Sequence, residues 1–431
     1  MKIKTTLTVI ILSVVLLGGC AGKKDGRTTI RISSWGDVQE NTILEGLIGS
    51  FEKLHPDLHV QLDRVPFDSY VDKLLTMYAG GLAPDVIFVS AEHLADFYPR
   101  GLLEPLTVYL KESSNVRRDD FYPTLMKWYT INGDLYVLPR DIAPVCVLYY
   151  NQKAFDAAGL KYPKDDWTVE EFLEDAQKLT KRDGKGNVTQ WGFVEDWPMP
   201  ENWIYAFGGG FVDDPHDPKA YAITRPGSIA GIQFRADLMN RYRVMPTPAG
   251  MNQQGGVGAS DMFVNGQAAM FLSGIWKTPL FRGIQKFPWD VVMSPRVKGV
   301  KRAVVGGSSG YGIVHTSKNK DAAWQLVAFL ASPEGQTQFA GTGLVQPALK
   351  KVADSPAFLD GQAPKNKKML LKAVEYGIDM PIATNWREVQ QGIISPALDK
   401  VWLGEETPAQ AASKLAGELG KHPLVLQEKT P

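Results

Sequence analysis

The chain has 431 residues, 44% of them hydrophobic, with 47 basic and 47 acidic side chains and eleven tryptophans. That length allows two domains of ordinary size, and the balanced charge leaves no electrostatic footprint for nucleic acid or an anionic lipid surface. The expected partner is uncharged or small.

The chain opens with Lys2 and Lys4, an apolar stretch from Leu7 to Leu17, and Leu17-Gly18-Gly19-Cys20. A basic start, a short apolar core and small residues before a scissile bond are the grammar of a secretory signal. The apolar run is well short of the ~20 residues a spanning helix needs. The L-G-G-C box resembles the lipobox of bacterial lipoproteins, which implies cleavage before Cys20 and diacylation of its thiol. Residues 1–19 are then a signal peptide and residues 20–28 a polar, glycine-containing linker between anchor and body. Loss of Lys2 and Lys4 leaves 45 basic against 47 acidic residues, a net charge near −2. Acylation of Cys20 leaves Cys146 without an intrachain partner, so packing alone must hold the fold.

Thr29-Ile30-Arg31-Ile32-Ser33 alternates as a strand, and residues 39–54 carry Ile43, Leu44, Leu47, Ile48, Phe51 and Leu54 at helical spacing. His55-Pro56-Asp57 breaks that helix before a second alternating strand, Val60 to Val65. A helix from Tyr70 to Ala79 ends at Gly80-Gly81, and Asp85-Val86-Ile87-Phe88-Val89 is the continuous apolar run of a buried parallel strand. This alternation predicts an α/β fold. Tyr136 to Pro139 and Val145 to Tyr150 are strand-like with too little chain between them for a crossover helix, which marks a domain junction. Thr168 and Glu171 predict a capping box on a helix over 169–181, followed by turn chemistry at 183–187.

Several segments, in order, resemble the extracellular solute-binding proteins of ATP-driven sugar importers, the maltose-binding type. They are Tyr70-Val71-Asp72-Lys73-Leu74 with Ala79-Gly80-Gly81 and Pro84-Asp85-Val86, then Gly133 to Pro139 with Leu148-Tyr149-Tyr150-Asn151 and Phe155 to Gly159. Phe263 to Met270 with Ser273-Gly274-Ile275-Trp276 completes the set. The resemblance covers about residues 29–420. It implies a two-lobed periplasmic-binding-protein fold of type II, with hinge strands and an inter-lobe cleft. The N-terminal lobe would comprise 29–141 and 304–343, and the C-terminal lobe 142–303 and 344–431. Crossings are expected near 141–145, 301–304 and 342–346. The implied function is capture of a disaccharide or oligosaccharide outside the cell and its delivery to an ABC permease, with no cofactor, no metal and no enzymatic step. The implied state is a monomer lipid-anchored to the outer face of the cytoplasmic membrane.

A pyranose offers weakly polar CH faces for stacking and hydroxyls that need directional partners. Tryptophans in contexts poor for burial are therefore candidate platforms: Trp197 before a proline, Trp276 before Lys277, and Trp386 in a polar run. The resemblance places stacking aromatics at Trp276 and Trp386, and adds Trp203. Trp35-Gly36-Asp37 and Ser90 with Glu92 follow strands at the ends where open α/β sheets meet ligands. Asp37 is a ligand group or a helix cap. Val89 stands where the maltose binder has a ring, so the sugar geometry should differ. Asp141 accepts hydroxyl hydrogens or pairs with Arg140. Arg387 clamps a hydroxyl or solvates a helix face, and Gly307 and Ser308 offer backbone N–H groups or simply pack.

Two decoys carry little. Gly306 to Gly310 spells G-x-S-x-G, but Tyr311-Gly312-Ile313-Val314 predicts a strand where a nucleophile elbow needs a helix. His55 and His59 are four apart but separated by Pro56, with no ligand set around them. The rival readings are a binder of a polyamine, sugar phosphate or iron complex, and a surface glycosidase or polysaccharide-binding lipoprotein.

Overall fold

The computed structural model describes residues 26–196, 199–215, 217–247, 258–378, 380–381 and 383–425. The signal peptide, Cys20 and Trp197 lie outside the described residues.

Two five-stranded sheets organise two lobes. The first runs in the order Leu58–Arg64, Thr28–Ser34, Val86–Ser90, Ser309–Ile313 and Leu138–Pro139. Its first three strands are parallel, as strands joined by the helices Val38–Leu54 and Tyr70–Ala79 must be. Ser309–Ile313 returns antiparallel between Val86–Ser90 and Leu138–Pro139. Val86, Ile87, Phe88 and Val89 are all buried, which is why that segment reads as an unbroken apolar run. The G-x-S-x-G motif leads into this antiparallel strand, so it forms no strand-to-helix elbow.

The second sheet runs Trp289–Met293, Val147–Asn151, Ala268–Ser273, Val188–Glu195 and Lys181–Arg182. The helix Val169–Leu179 begins at the expected capping box, with the Thr168 hydroxyl accepting from the Glu171 N–H and the Glu171 carboxylate accepting from the Thr168 N–H. It stops two residues short of the predicted end because Lys181–Arg182 pairs with Val188–Glu195 instead. This lobe encloses a buried ion pair. Arg235 Nε donates to Glu195 Oε1 at 2.7 Å, and the guanidinium lies 4.1 Å from the Trp402 ring centroid.

The lobes meet where short strands run side by side. Ala143 N–H donates to the Gly307 carbonyl at 2.7 Å, Val145 bridges Val305, and Val304–Val305 pairs with Gly377–Ile378. Gln346–Pro347 pairs with Asp141–Ile142. The Gly377–Ile378 strand was not foreseen from sequence, because two paired residues are too few for any periodicity to register.

The inter-lobe cleft as candidate binding site

Two adjoining cavities lie between the lobes, sharing Glu92, Ala95 and Pro381 on their walls. The smaller, about 190 Å³, is bounded by Ser90, Trp128, Gly306, Gly307, Ser308 and Met380. The larger, about 490 Å³, is bounded by Phe67, Asp68, His93 and Asp96 on one side and by Trp386, Arg387 and Gln390 on the other.

The walls are positioned by element ends. Ser90 closes the Val86–Ser90 strand, and Glu92 follows it into the Leu94–Phe97 helix. Opposite, Trp386 opens the short helix Trp386–Val389, which continues as a π-helix over Gln390–Ile394. Such π turns recur at functional sites because they re-aim side chains. Here Gln390 Nε2 donates to Glu201 Oε1 at 2.8 Å.

The electrostatics are those of a confined acidic cleft. Glu201 is 7% exposed, and burial pushes its carboxyl up to about 7, with the Glu92 charge adding to the rise against the Gln390 hydrogen bond. Glu92 is also raised, by desolvation first and by Asp96 second, although its side chain keeps 40% of its exposure and the effect is correspondingly screened. His93 is 5% exposed, and burial together with the Arg387 charge lowers it to about 3, so the imidazole is neutral. Three buried nitrogens on the walls have no hydrogen-bond partner: Trp128 Nε1, Trp386 Nε1 and His93 Nδ1. Unpaired polar groups in a dry wall are costly unless something else satisfies them.

The structure brings together Ser90, Glu92, Gly307, Ser308, Trp386 and Arg387 from the sequence-predicted set. The rest sit elsewhere. Asp141 is 2% exposed and already engaged: Oδ1 accepts from the Ser309 N–H at 2.7 Å, and Oδ2 from the Ser309 hydroxyl at 2.6 Å and Arg140 Nε at 2.8 Å. Arg140 also reaches Glu40 at 2.9 Å. The expectation that Asp141 receives ligand hydroxyls is therefore corrected to its alternative, pairing with Arg140. Asp37 caps the Val38–Leu54 helix, accepting from the Glu40 N–H at 2.9 Å, and Gly36 packs on the Glu40 carboxylate. Trp203 is 2% exposed inside the second lobe, its Nε1 donating to Glu195 Oε2 at 3.3 Å, so the ring is core and not a platform. Trp35 packs edge-on against Phe67, Tyr70, Phe88 and His93 beneath the wall of the larger cavity. Trp276 is half-buried, its ring lying over Gly274, where a Cβ would collide with it.

Trp128, Phe67, Asp96 and Gln390 on the walls, and Glu201 behind Gln390, were missed. Trp128 follows Leu125-Met126-Lys127, which reads as an ordinary helix face, and Glu201 and Gln390 have no local signal at all.

Two lobes closing on a cleft with unsatisfied polar walls define a two-lobed ligand-binding protein. Residues 35–337 match the bacterial extracellular solute-binding protein family, and the chain belongs to it. Its relatives include the galactooligosaccharide-binding protein of Bacillus subtilis, 25% identical over 394 residues that cover 89% of this chain and 87% of that one. An uncharacterised lipoprotein of Streptomyces antibioticus is 24% identical, covering 97% of this chain and 92% of the relative. Among solved structures, an ABC substrate-binding protein of Listeria monocytogenes in complex with cycloalternan superposes with a TM-score of 0.83 at 25% identity, covering 92% of this chain and 99% of that one. Maltose-bound MalE3 of T. maritima gives 0.79 at 24% identity, covering 91% and 99%.

Proposed function

We propose that this protein captures a disaccharide or oligosaccharide in the inter-lobe cleft and hands it to the membrane subunits of an ABC importer. The observation that carries the reading is the cleft wall, where aromatic rings at Phe67, Trp128 and Trp386 stand beside carboxylates and unpaired indole N–H groups. Rings accept the CH faces of a pyranose, and carboxylates and N–H groups take its hydroxyls. Neutral polyols suit this wall better than anions, since Glu92, Asp96 and Asp68 oppose a phosphate. The galactooligosaccharide, cycloalternan and maltose of the relatives named above agree in kind, although other relatives are named for sn-glycerol 3-phosphate.

In this reading Ser90, Glu92, Gly307, Ser308 and Trp386 contact ligand, with Trp276 as a further candidate platform outside the two cavities. The lobes divide at 29–141 with 304–343, and 142–303 with 344–431. The mature protein is a monomer, held by a lipid on Cys20 at the outer face of the cytoplasmic membrane. It catalyses nothing and needs no metal or cofactor.

A thermal-shift screen against neutral oligosaccharides tests the ligand class, because a ligand at a hundredfold its Kd stabilises the native state by about 2.7 kcal/mol. No shift with any sugar, alongside a shift with a polyamine or a sugar phosphate, would refute it. Release of chromophore from nitrophenyl glycosides would instead make the protein a glycosidase. Membrane partitioning that survives Cys20→Ala would refute the anchor.

A further inference from the structure

Arg387 was expected to touch ligand or to solvate a helix face. It lines the larger cavity, and its guanidinium is already engaged there by carboxylates. From the second lobe it reaches across the mouth of the larger cavity to two carboxylates of the first, with Nη2 3.0 Å from Asp72 Oδ1 and Nε 3.3 Å from Asp96 Oδ1. Asp72 stands on the Tyr70–Ala79 helix and Asp96 on the Leu94–Phe97 helix, both packed on the first sheet. Arg387 is tied to the opposite body through its neighbour Trp386, which is 4% exposed and packs edge-on against Phe211.

We infer that Arg387 is a positioning residue that latches the closed form. A rotation about the hinge strands that widened this cavity would separate the guanidinium from both carboxylates, so the two ion pairs belong to the arrangement described here. They stabilise that arrangement without requiring ligand contact. The two arms differ in kind. The Asp72 side chain is 71% exposed and its arm is screened by salt, whereas Asp96 is 8% exposed and its arm is shielded. Asp96 cannot do without the guanidinium cheaply: burial raises its carboxyl, and Arg387 is the largest opposing influence. The charged and titratable groups near the bridge are Arg100, Glu92, Asp68 and neutral His93 on the first lobe, and Glu201 on the second.

The functional consequence is a set point for capture. Apparent affinity scales with the fraction of the binding-competent form, so loosening the latch weakens every ligand by a similar factor and leaves the order of preference among sugars intact. A residue that touched ligand would instead change that order.

Small-angle scattering of the ligand-free full chain tests the latch without knowledge of the sugar. Arg387→Gln is expected to enlarge the radius of gyration, with the closed-to-open ratio falling about fivefold, the equivalent of about 1 kcal/mol. Asp72→Asn with Asp96→Asn, on the other lobe, should reproduce that shift, and combining all three should add little. The wild type should expand partway toward the variants when salt is raised to about 1 M, as the exposed arm is screened. Curves for Arg387→Gln and for Asp72→Asn that both superpose on the wild type at low salt would overturn the latch. Asp72 is exposed, so that variant folds even if the others do not. A failed sugar screen with a salt-dependent radius would sink the ligand class and leave the latch standing.

Discussion

The hinge and the cleft wall are both lined with buried polar groups, yet they differ in one respect. At the hinge every oxygen of Asp141 is engaged, by Ser309 and by Arg140, and Ser308 in turn donates to the Asp141 carbonyl at 2.7 Å and accepts from the Tyr129 hydroxyl at 3.1 Å. Across the cleft, Trp128, Trp386 and His93 keep nitrogens with no partner, and Glu201, behind the wall residue Gln390, accepts from that amide. Saturation marks groups that hold the fold. On the cleft wall incomplete satisfaction leaves groups that an incoming ligand can reach, whereas Arg235 Nη1 and the Gln346 amide, also without partners, are enclosed by the fold. The difference separates Asp141 from Glu92 and Glu201, which sequence alone presents as equivalent carboxylates.

The sharpest way to break the comparison is at the saturated end. Asp141→Ala strips one of two carboxylates from the buried Arg140 and orphans the Ser309 N–H, and should cost about 3–5 kcal/mol of stability. Denaturant unfolding checks this, and a loss below about 1 kcal/mol would remove the hinge network from its assigned role.

Glu201 should behave in the opposite sense. Its folded-state value, about 7, lies above the ordinary 4.5 of a free glutamate, so between those values the native state holds a proton that the unfolded chain has released. Its contribution therefore lowers stability as pH rises from about 4.5 to about 7, with no further change above, by at most about 3 kcal/mol. Glu201→Gln mimics the protonated form and should stabilise the protein at pH 8 while leaving it unchanged at pH 4.5. Equal melting temperatures at pH 8 would show that the cleft carboxyl is better solvated than its burial implies.

Gly307 tests the boundary between the two regions, since it lines the smaller cavity while its own backbone belongs to the hinge. A Cβ there would stand 2.5 Å from the Ala143 carbonyl oxygen. Gly307→Ala should cost about 1–3 kcal/mol by forcing the hinge strands apart. A fully stable variant would mean that the crossing strands yield freely.

The smallest effect belongs to the wall itself. Trp128→Phe keeps a ring at a half-buried position and removes one unpaired N–H, so apo stability should change by no more than about 0.5 kcal/mol. If that N–H meets ligand, affinity for the best sugar in the thermal-shift panel should fall roughly three- to tenfold. Unchanged affinity by calorimetry would make the orphan nitrogen an accident of packing.

Sequence by itself determined the elements whose causes are local. The apolar run at 86–89 must be a buried central strand, Thr168 with Glu171 must start a helix, and Asp37 is placed to cap one. The ordered motifs from Tyr70 to Trp276 were enough to indicate the family and its two-lobed fold. Ser90 and Glu92 were legible as wall residues because strand ends in open sheets face ligands, and Gly307 and Ser308 as a source of backbone N–H groups. Tertiary structure alone decided which polar groups are satisfied. The Asp141 partner Ser309 lies 168 residues away, the Glu201 partner Gln390 lies 189 away, and Arg387 reaches Asp72 across 315 residues. No window of sequence contains such pairs, so platform and core tryptophans, or clamp and latch arginines, look alike until the chain has brought their neighbours to them.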